Sequence, residues 1–342
     1  MPPLAHETWF TDDRPPYSWA FTLSPATLGT IAAVIVVAIV WRLLAARLPR
    51  PELPFLHPLG RLSPWVPRLL AVHAGVSLLA QAASGSYLAP ALELPHGFSG
   101  TLLALLEGVT GVWLISGYGI RPAAWLLVAS GPLGIPGYGI VPVLERVDLL
   151  GIALFLALLP PDDRRPGGTV EPDARTLTRA LLGLRVLVGG ALIVLAFTEK
   201  LARPDLALAF LERYPAFNIL HTIGLDVGNV TFIRLAGGIE LLFGLLVISG
   251  ALPQIAVIVA GIPFNATLFY FGSSELIGHL PVYGAMLALL VYGSNPSTAP
   301  LVPKLSLGEA GPRRSRGRPA RRTPEPAKRN REGASRVGPG DR

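Results

Sequence analysis

Seven residues embedded in apolar runs could do chemistry: Arg185, Lys200, Glu240, Asn265, Glu275, His279 and Tyr283. Glu275, His279 and Tyr283 recur every four residues, so a helix stacks them along one stripe. An imidazole beside a carboxylate and a phenol can move a proton near neutral pH or hydrogen-bond a polar head group. Pro281 lies inside the same run and leaves the carbonyl of Ile277 without its helical donor. Pro263, Asn265 and Thr267 interrupt the preceding run in "IPFNATLFYFG". Two proline-broken helices with polar linings predict a ligand pocket near one membrane face, or else interhelical hydrogen bonding. Glu275 is expected at the outer edge of its helix, where water or head groups meet its charge.

Glu240 lies one turn before Gly244, a small residue that admits a neighbouring helix. Arg185 on the preceding helix is the candidate partner of Glu240. A structural bridge and a proton- or ligand-handling site both fit that pairing, because a charge in mid-bilayer needs a partner or a cavity. The first half of the chain holds a poorer set, namely His73, Glu107, Glu145, Arg146 and Asp148.

The elements that must position these groups are membrane helices. Of 342 residues, 51% are hydrophobic and only 15% charged, and mean hydropathy is positive. Apolar runs near the length that crosses a bilayer recur at about 23–44, 66–84, 100–118, 121–136, 139–160, 180–200, 231–250, 252–272 and 275–293. The expectation is an all-α, polytopic transmembrane bundle of about nine spans. Residues 1–64 form an N-terminal segment with one span and a proline-rich connector, and 65–160 a first four-helix unit. Residues 161–178 form a cytoplasmic linker, 179–293 a second four-helix unit, and 294–342 a disordered basic tail. From Lys304 onward twelve Lys or Arg stand against four acids, so the rest of the chain is near neutral.

Lys and Arg crowd the loops on one side of a nine-span arrangement, which predicts an outside N-terminus and a cytoplasmic C-terminus. The excess of arginine over lysine suggests a bacterial genome rich in GC, and hence the bacterial plasma membrane. The first run lacks the basic flank and cleavage site of a signal peptide. Basic residues just beyond a span suit anionic lipid, so the bilayer rather than nucleic acid is the expected partner of the tail. With no cysteine there are no disulfides, thiolate metal sites or iron–sulfur clusters. His73 and His279 belong to non-equivalent helices, and no HxxxH pair accompanies them; neither haem nor metal is expected.

The two units look like copies. "LLEGVTGVWLISG" and "GIELLFGLLVISG" align Glu107 with Glu240 and Gly111 with Gly244 at an offset of 133. "LAVHAGVSLL" and "LRVLVGGALI" align Gly75 with Gly189 at an offset of 114, so the second copy carries about 19 extra residues. Those extra residues include "PDLALAFLERYPAFNIL", which reads as a short amphipathic helix. An even number of spans per copy makes the repeats parallel.

"LRVLVGGALIVLAFTEK" followed by "AGGIELLFGLLVISG", with a later glutamate opening the last helix, resembles the DoxX (DoxX/DoxD-like) family of four-helix bacterial membrane proteins. The resemblance is best over 180–293. It falls on Arg185, Gly189, Lys200, Glu240, Gly244 and Glu275; the first unit has Ala71 in place of the arginine. It implies an accessory membrane subunit tied to an oxidoreductase system, with a soluble or membrane oxidoreductase partner. No cofactor is intrinsic to the chain; quinone, or a similar apolar molecule, is what the resemblance implies. The alternative is a non-enzymatic scaffold or carrier for a lipid-like molecule or partner protein. Whether any catalysis occurs stays open.

Overall fold

The computed structural model describes residues 15–304; the expectations for the first fourteen residues and for the tail beyond Lys304 lie outside them. Each of the nine expected runs holds a helix. These are α1 (Pro25–Ala45), α2 (Val66–Ser84), α3 (Phe98–Ser116), α4 (Ile120–Tyr138) and α5 (Val147–Leu158) in the first half. In the second half they are α6 (Ala174–Leu195), then, after α7 (Pro204–Arg213), α8 (Asn229–Ser249), α9 (Pro253–Phe271) and α10 (Ser273–Ser294). Six segments are long and apolar enough to cross a membrane: Pro25–Ala45, Pro54–Ser84, Phe98–Ser116, Ala174–Leu201, Asn229–Ser249 and Glu275–Ser294. Val147–Leu158 and Pro253–Leu268 are apolar but shorter. α4, with Pro132 and Pro136 in its interior, falls outside both groups.

Helix ends follow local chemistry. Ser24 caps α1 by accepting from the Thr27 amide, with Pro25 in the first turn. Asp173 caps α6 through the amides of Arg175 and Thr176. Gly250 ends α8 at φ +59, and a Cβ there would strike the Arg185 guanidinium.

The halves repeat one packing scheme. Gly75 of α2 and Gly111 of α3 meet backbone to backbone, so that a Cβ on Gly75 would stand 2.7 Å from the Gly111 carbonyl. Gly189 of α6 and Gly244 of α8 make the same contact at 2.5 Å. The side chains flanking each contact also correspond, Ile115 with Ile248 and Leu79 with Ile193. Between the halves, α5 packs on α6 as α10 packs on α2. Gly151 of α5 receives Leu187, and Gly284 of α10 receives His73, which are again the two offsets. The bundle therefore closes around a pseudo-two-fold axis, with α1 added against α8.

Two connectors are ordered, and the tail begins later than expected. The proline-rich stretch after α1 winds into a 3-10 helix, Pro54–Trp65, that packs on α10. Gln254, fully buried, holds the approach to it by accepting from the Leu53 amide and donating to the Leu53 carbonyl and the Ser294 hydroxyl. The α2–α3 connector is a small antiparallel hairpin, β1 (Ser86–Tyr87) with β2 (Ala89–Glu93). The expected tail does not begin at Ser294. Residues 295–304 turn back onto the bundle, burying Ala299 and Val302.

The expected amphipathic helix of the longer second copy is α7. It buries Leu206, Ala207, Phe210 and Leu211 against α8 and the end of α6. Phe210, Tyr214, Phe217 and Phe271 then cluster, with Phe217 and Phe271 stacked at 5.0 Å.

Candidate functional site

The candidate residues fall into three places. The first lies where α6 loosens into a π-turn, Ala196–Leu201, a form common at functional sites. The turn presents Lys200 toward α8, and Lys200 Nζ stands 2.8 Å from Glu240 Oε1 and 3.9 Å from the buried Glu199. Gly237 makes room, since a Cβ there would press on Leu201 and on Lys200 Cβ. Lys200, not Arg185, is thus the cation of Glu240.

Arg185 lies elsewhere, and this corrects its expected pairing. α6 and α8 run antiparallel through the Gly189–Gly244 contact, so a residue one turn before Gly189 faces one a turn after Gly244. Arg185 accordingly donates to the carbonyls of Ile248 and Lys304 at 3.2 and 2.8 Å, and to Leu181 of its own helix. It ties the end of α8 to the returning chain rather than serving a carboxylate. Arg42 of α1 supports the same corner by donating to the carbonyls of Ser249 and Pro303.

The third place is α10 with its neighbours. Glu275 is not at a wet edge as expected; it is fully buried, and its Oε1 stands 3.2 Å from Nδ1 of His279. His279, 4% exposed, meets the Phe264 ring edge to face at 5.1 Å. Tyr283 donates to the Phe264 carbonyl at 3.0 Å. Asn265 faces outward, donating to Gly261 of its own helix at 2.7 Å. Pro263 and Pro281 lie inside uninterrupted helices, so the expected breaks are absent. The carbonyl that Pro281 vacates is satisfied across the bundle, where the Ser77 hydroxyl of α2 donates to Ile277 at 2.9 Å.

Arg146 and Asp148 join this group from α5 and its N-terminal edge. Arg146 stands 3.7 Å from Asp148 and donates to the Gly278 carbonyl at 3.5 Å. Both groups are at least 95% buried, and the Asp148 oxygens have no hydrogen-bond donor among the described residues. At the repeat offset Arg146 is the counterpart of His279, so the two halves bring equivalent positions to one interface. That alignment is the signal that could have placed Arg146 at the site; nothing in the sequence marked Phe264 or Ser77.

The first unit's own glutamate does a different job. Glu107 accepts from the Leu88 amide at 2.8 Å, holding a residue whose φ of +58 is strained for leucine. Among the described residues no three His, Asp or Glu side chains gather as a metal site would require. Comparison with protein-family models, with characterised proteins and with solved structures gives no match for this chain.

Proposed function

We propose that the chain is an accessory subunit of a bacterial plasma-membrane oxidoreductase system that binds quinone or a similar apolar ring. The proposal includes nine crossings with an outside N-terminus and membership of the DoxX family, for which the motifs over 180–293 speak. One observation carries the reading. The Glu275–His279 pair, the Phe264 ring and the Tyr283 hydroxyl form a compact polar and aromatic group on two adjacent helices. Such a group sets an imidazole and an aromatic edge side by side, and the Tyr283 hydroxyl can serve a ring carbonyl by giving up its bond to Phe264. Lys200 and Glu240 set charge on the same unit.

The test is to purify the protein in mild detergent, extract and quantify bound quinone, and label it with a photoreactive quinone analogue. Labelling that maps to α9 or α10 and disappears in His279→Ala is the expected result. No quinone, no labelling, and unchanged quinone-linked electron transfer in both His279→Ala and Glu240→Gln would sink the reading.

A second reading, a non-enzymatic scaffold or carrier for a lipid-like molecule or partner protein, is favoured by the uncovered flank of α3. There Leu102, Leu105, Val109 and Val112 are all more than half exposed.

A further inference from the structure

The pseudo-two-fold axis relates that flank to the face of the second unit that holds α1. On the second unit, α1 packs along α8 and shares an apolar cluster with the end of α6. Thr30 and Val34 of α1 pack on Gly238, whose added Cβ would stand 2.8 Å from the Thr30 methyl. Ile31 and Val34 share an apolar cluster with Ile193, Leu241, Leu242 and Leu245. Arg42, near the end of α1, donates to the carbonyl of Ser249. On the first unit the corresponding face, between α2 and α3, is an apolar groove of about 550 Å³. It is lined by Leu79, Leu105, Gly108, Val109, Val112 and Ser116. By the repeat offsets these are the counterparts of Ile193, Gly238, Leu241, Leu242, Leu245 and Ser249, the residues that hold α1.

We infer that the groove between α2 and α3 seats one membrane-spanning helix of a partner protein, in the place that α1 fills on the other unit. This deepens the scaffold reading and rests on it, independently of quinone. The occupant's chemistry follows from α1. It has about twenty apolar residues, with small or β-branched side chains on the contact face, where Gly108 allows close approach. It carries a Lys or Arg at the end beside Ser116. That end is the C-terminus of α3, where Arg68 already donates to the Leu114 and Ile115 carbonyls as Arg185 does to Ile248. The Ser116 carbonyl is the counterpart of the Ser249 carbonyl that Arg42 meets. A second copy of this chain fits less well. Its α1 is already in place on α8, on the flank opposite the groove, so contact between copies would run head to tail without closing.

The chain has no cysteine, so Val109→Cys supplies a unique thiol for a benzophenone crosslinker in native membranes. The expected adduct is a single-span polypeptide, crosslinked within its apolar segment and bearing a basic residue at the end beside Ser116. Gly108→Leu fills the groove, since a Cβ there meets only the Ala82 methyl at 3.7 Å. It is expected to cut that adduct at least tenfold while the thermal midpoint of the purified protein is kept. Adducts to lipid only, to a second copy of this chain, or to a protein retained in Gly108→Leu overturn the inference. A partner captured from Ile262→Cys, on the 66% exposed outer side of α9, but not from Val109→Cys overturns the groove and leaves the scaffold reading standing.

Discussion

The Ser77 hydroxyl and the Ile277 carbonyl, 200 positions apart, meet at 2.9 Å because Pro281 leaves that carbonyl without its helical donor. The bond joins the first helix of one unit to the last helix of the other. Ser77→Ala should cost about 1 kcal/mol, the size of one such bond. In a Pro281→Ala background the helix regains its own donor, and the same substitution should cost close to nothing. A double-mutant cycle on unfolding in detergent measures the difference; equal costs in both backgrounds refute the pairing.

The four contact glycines should not tolerate branched side chains. Gly189→Val and Gly75→Val each push into a facing carbonyl and isoleucine, and should destabilise by about 1–3 kcal/mol. Gly183, also on α6, has open space around it, so Gly183→Ala should be neutral or slightly stabilising. Thermal midpoints of the three variants give the comparison.

Lys200 serves two carboxylates, and its loss should cost more than the loss of either bond alone. Lys200→Met leaves Glu199 and Glu240 close together without that cation, at a cost of about 3 kcal/mol. Glu240 is about a third exposed, so Glu240→Gln should cost no more than about 1 kcal/mol. The reverse order of midpoints would show that the pair is not what holds this corner.

Glu52, in the connector after α1, sets a pH dependence. Partial burial raises its carboxyl above the ordinary 4.5, partly offset by the Gln254 amide and by Arg50. The folded protein therefore binds the proton better than the unfolded chain. The stabilisation this gives is full below 4.5 and is lost as pH rises through the folded value. Glu52→Gln should flatten the fall in thermal midpoint between 4.5 and the folded value. A wild-type profile that rises there, with the difference abolished in Glu52→Gln, would reverse the assigned sign.

Helix positions were legible because apolar runs of bilayer length leave little choice of structure. The glycine pairs were legible too, since small residues at matched offsets mark close crossings. Partners were harder. Arg185 and Glu240 are separated along their helices by the antiparallel register, which only the Gly189–Gly244 crossing point fixes. The π-turn that aims Lys200 has no sequence signature, and the Leu88 turn has no glycine to announce it. Glu275 lies in the first turn of its helix, which in sequence reads as a wet edge. Yet neighbouring helices enclose that end, and a carboxylate flanked by His279 can remain inside. The matched Gly151 and Gly284 were legible in principle, being at the same offset as the paired glutamates.

The interface between the halves has a consequence for how the molecule can change. Two separate copies of one unit would present the same residue to both crossings, and any substitution would appear twice. Tethered in one chain, the crossings have already diverged: Gly151 meets Leu187, whereas Gly284 meets His73. Each seam can be altered while its twin keeps the bundle closed. Polar residues near α10 can therefore be tried on one side only, with the first unit acting as a stable buttress.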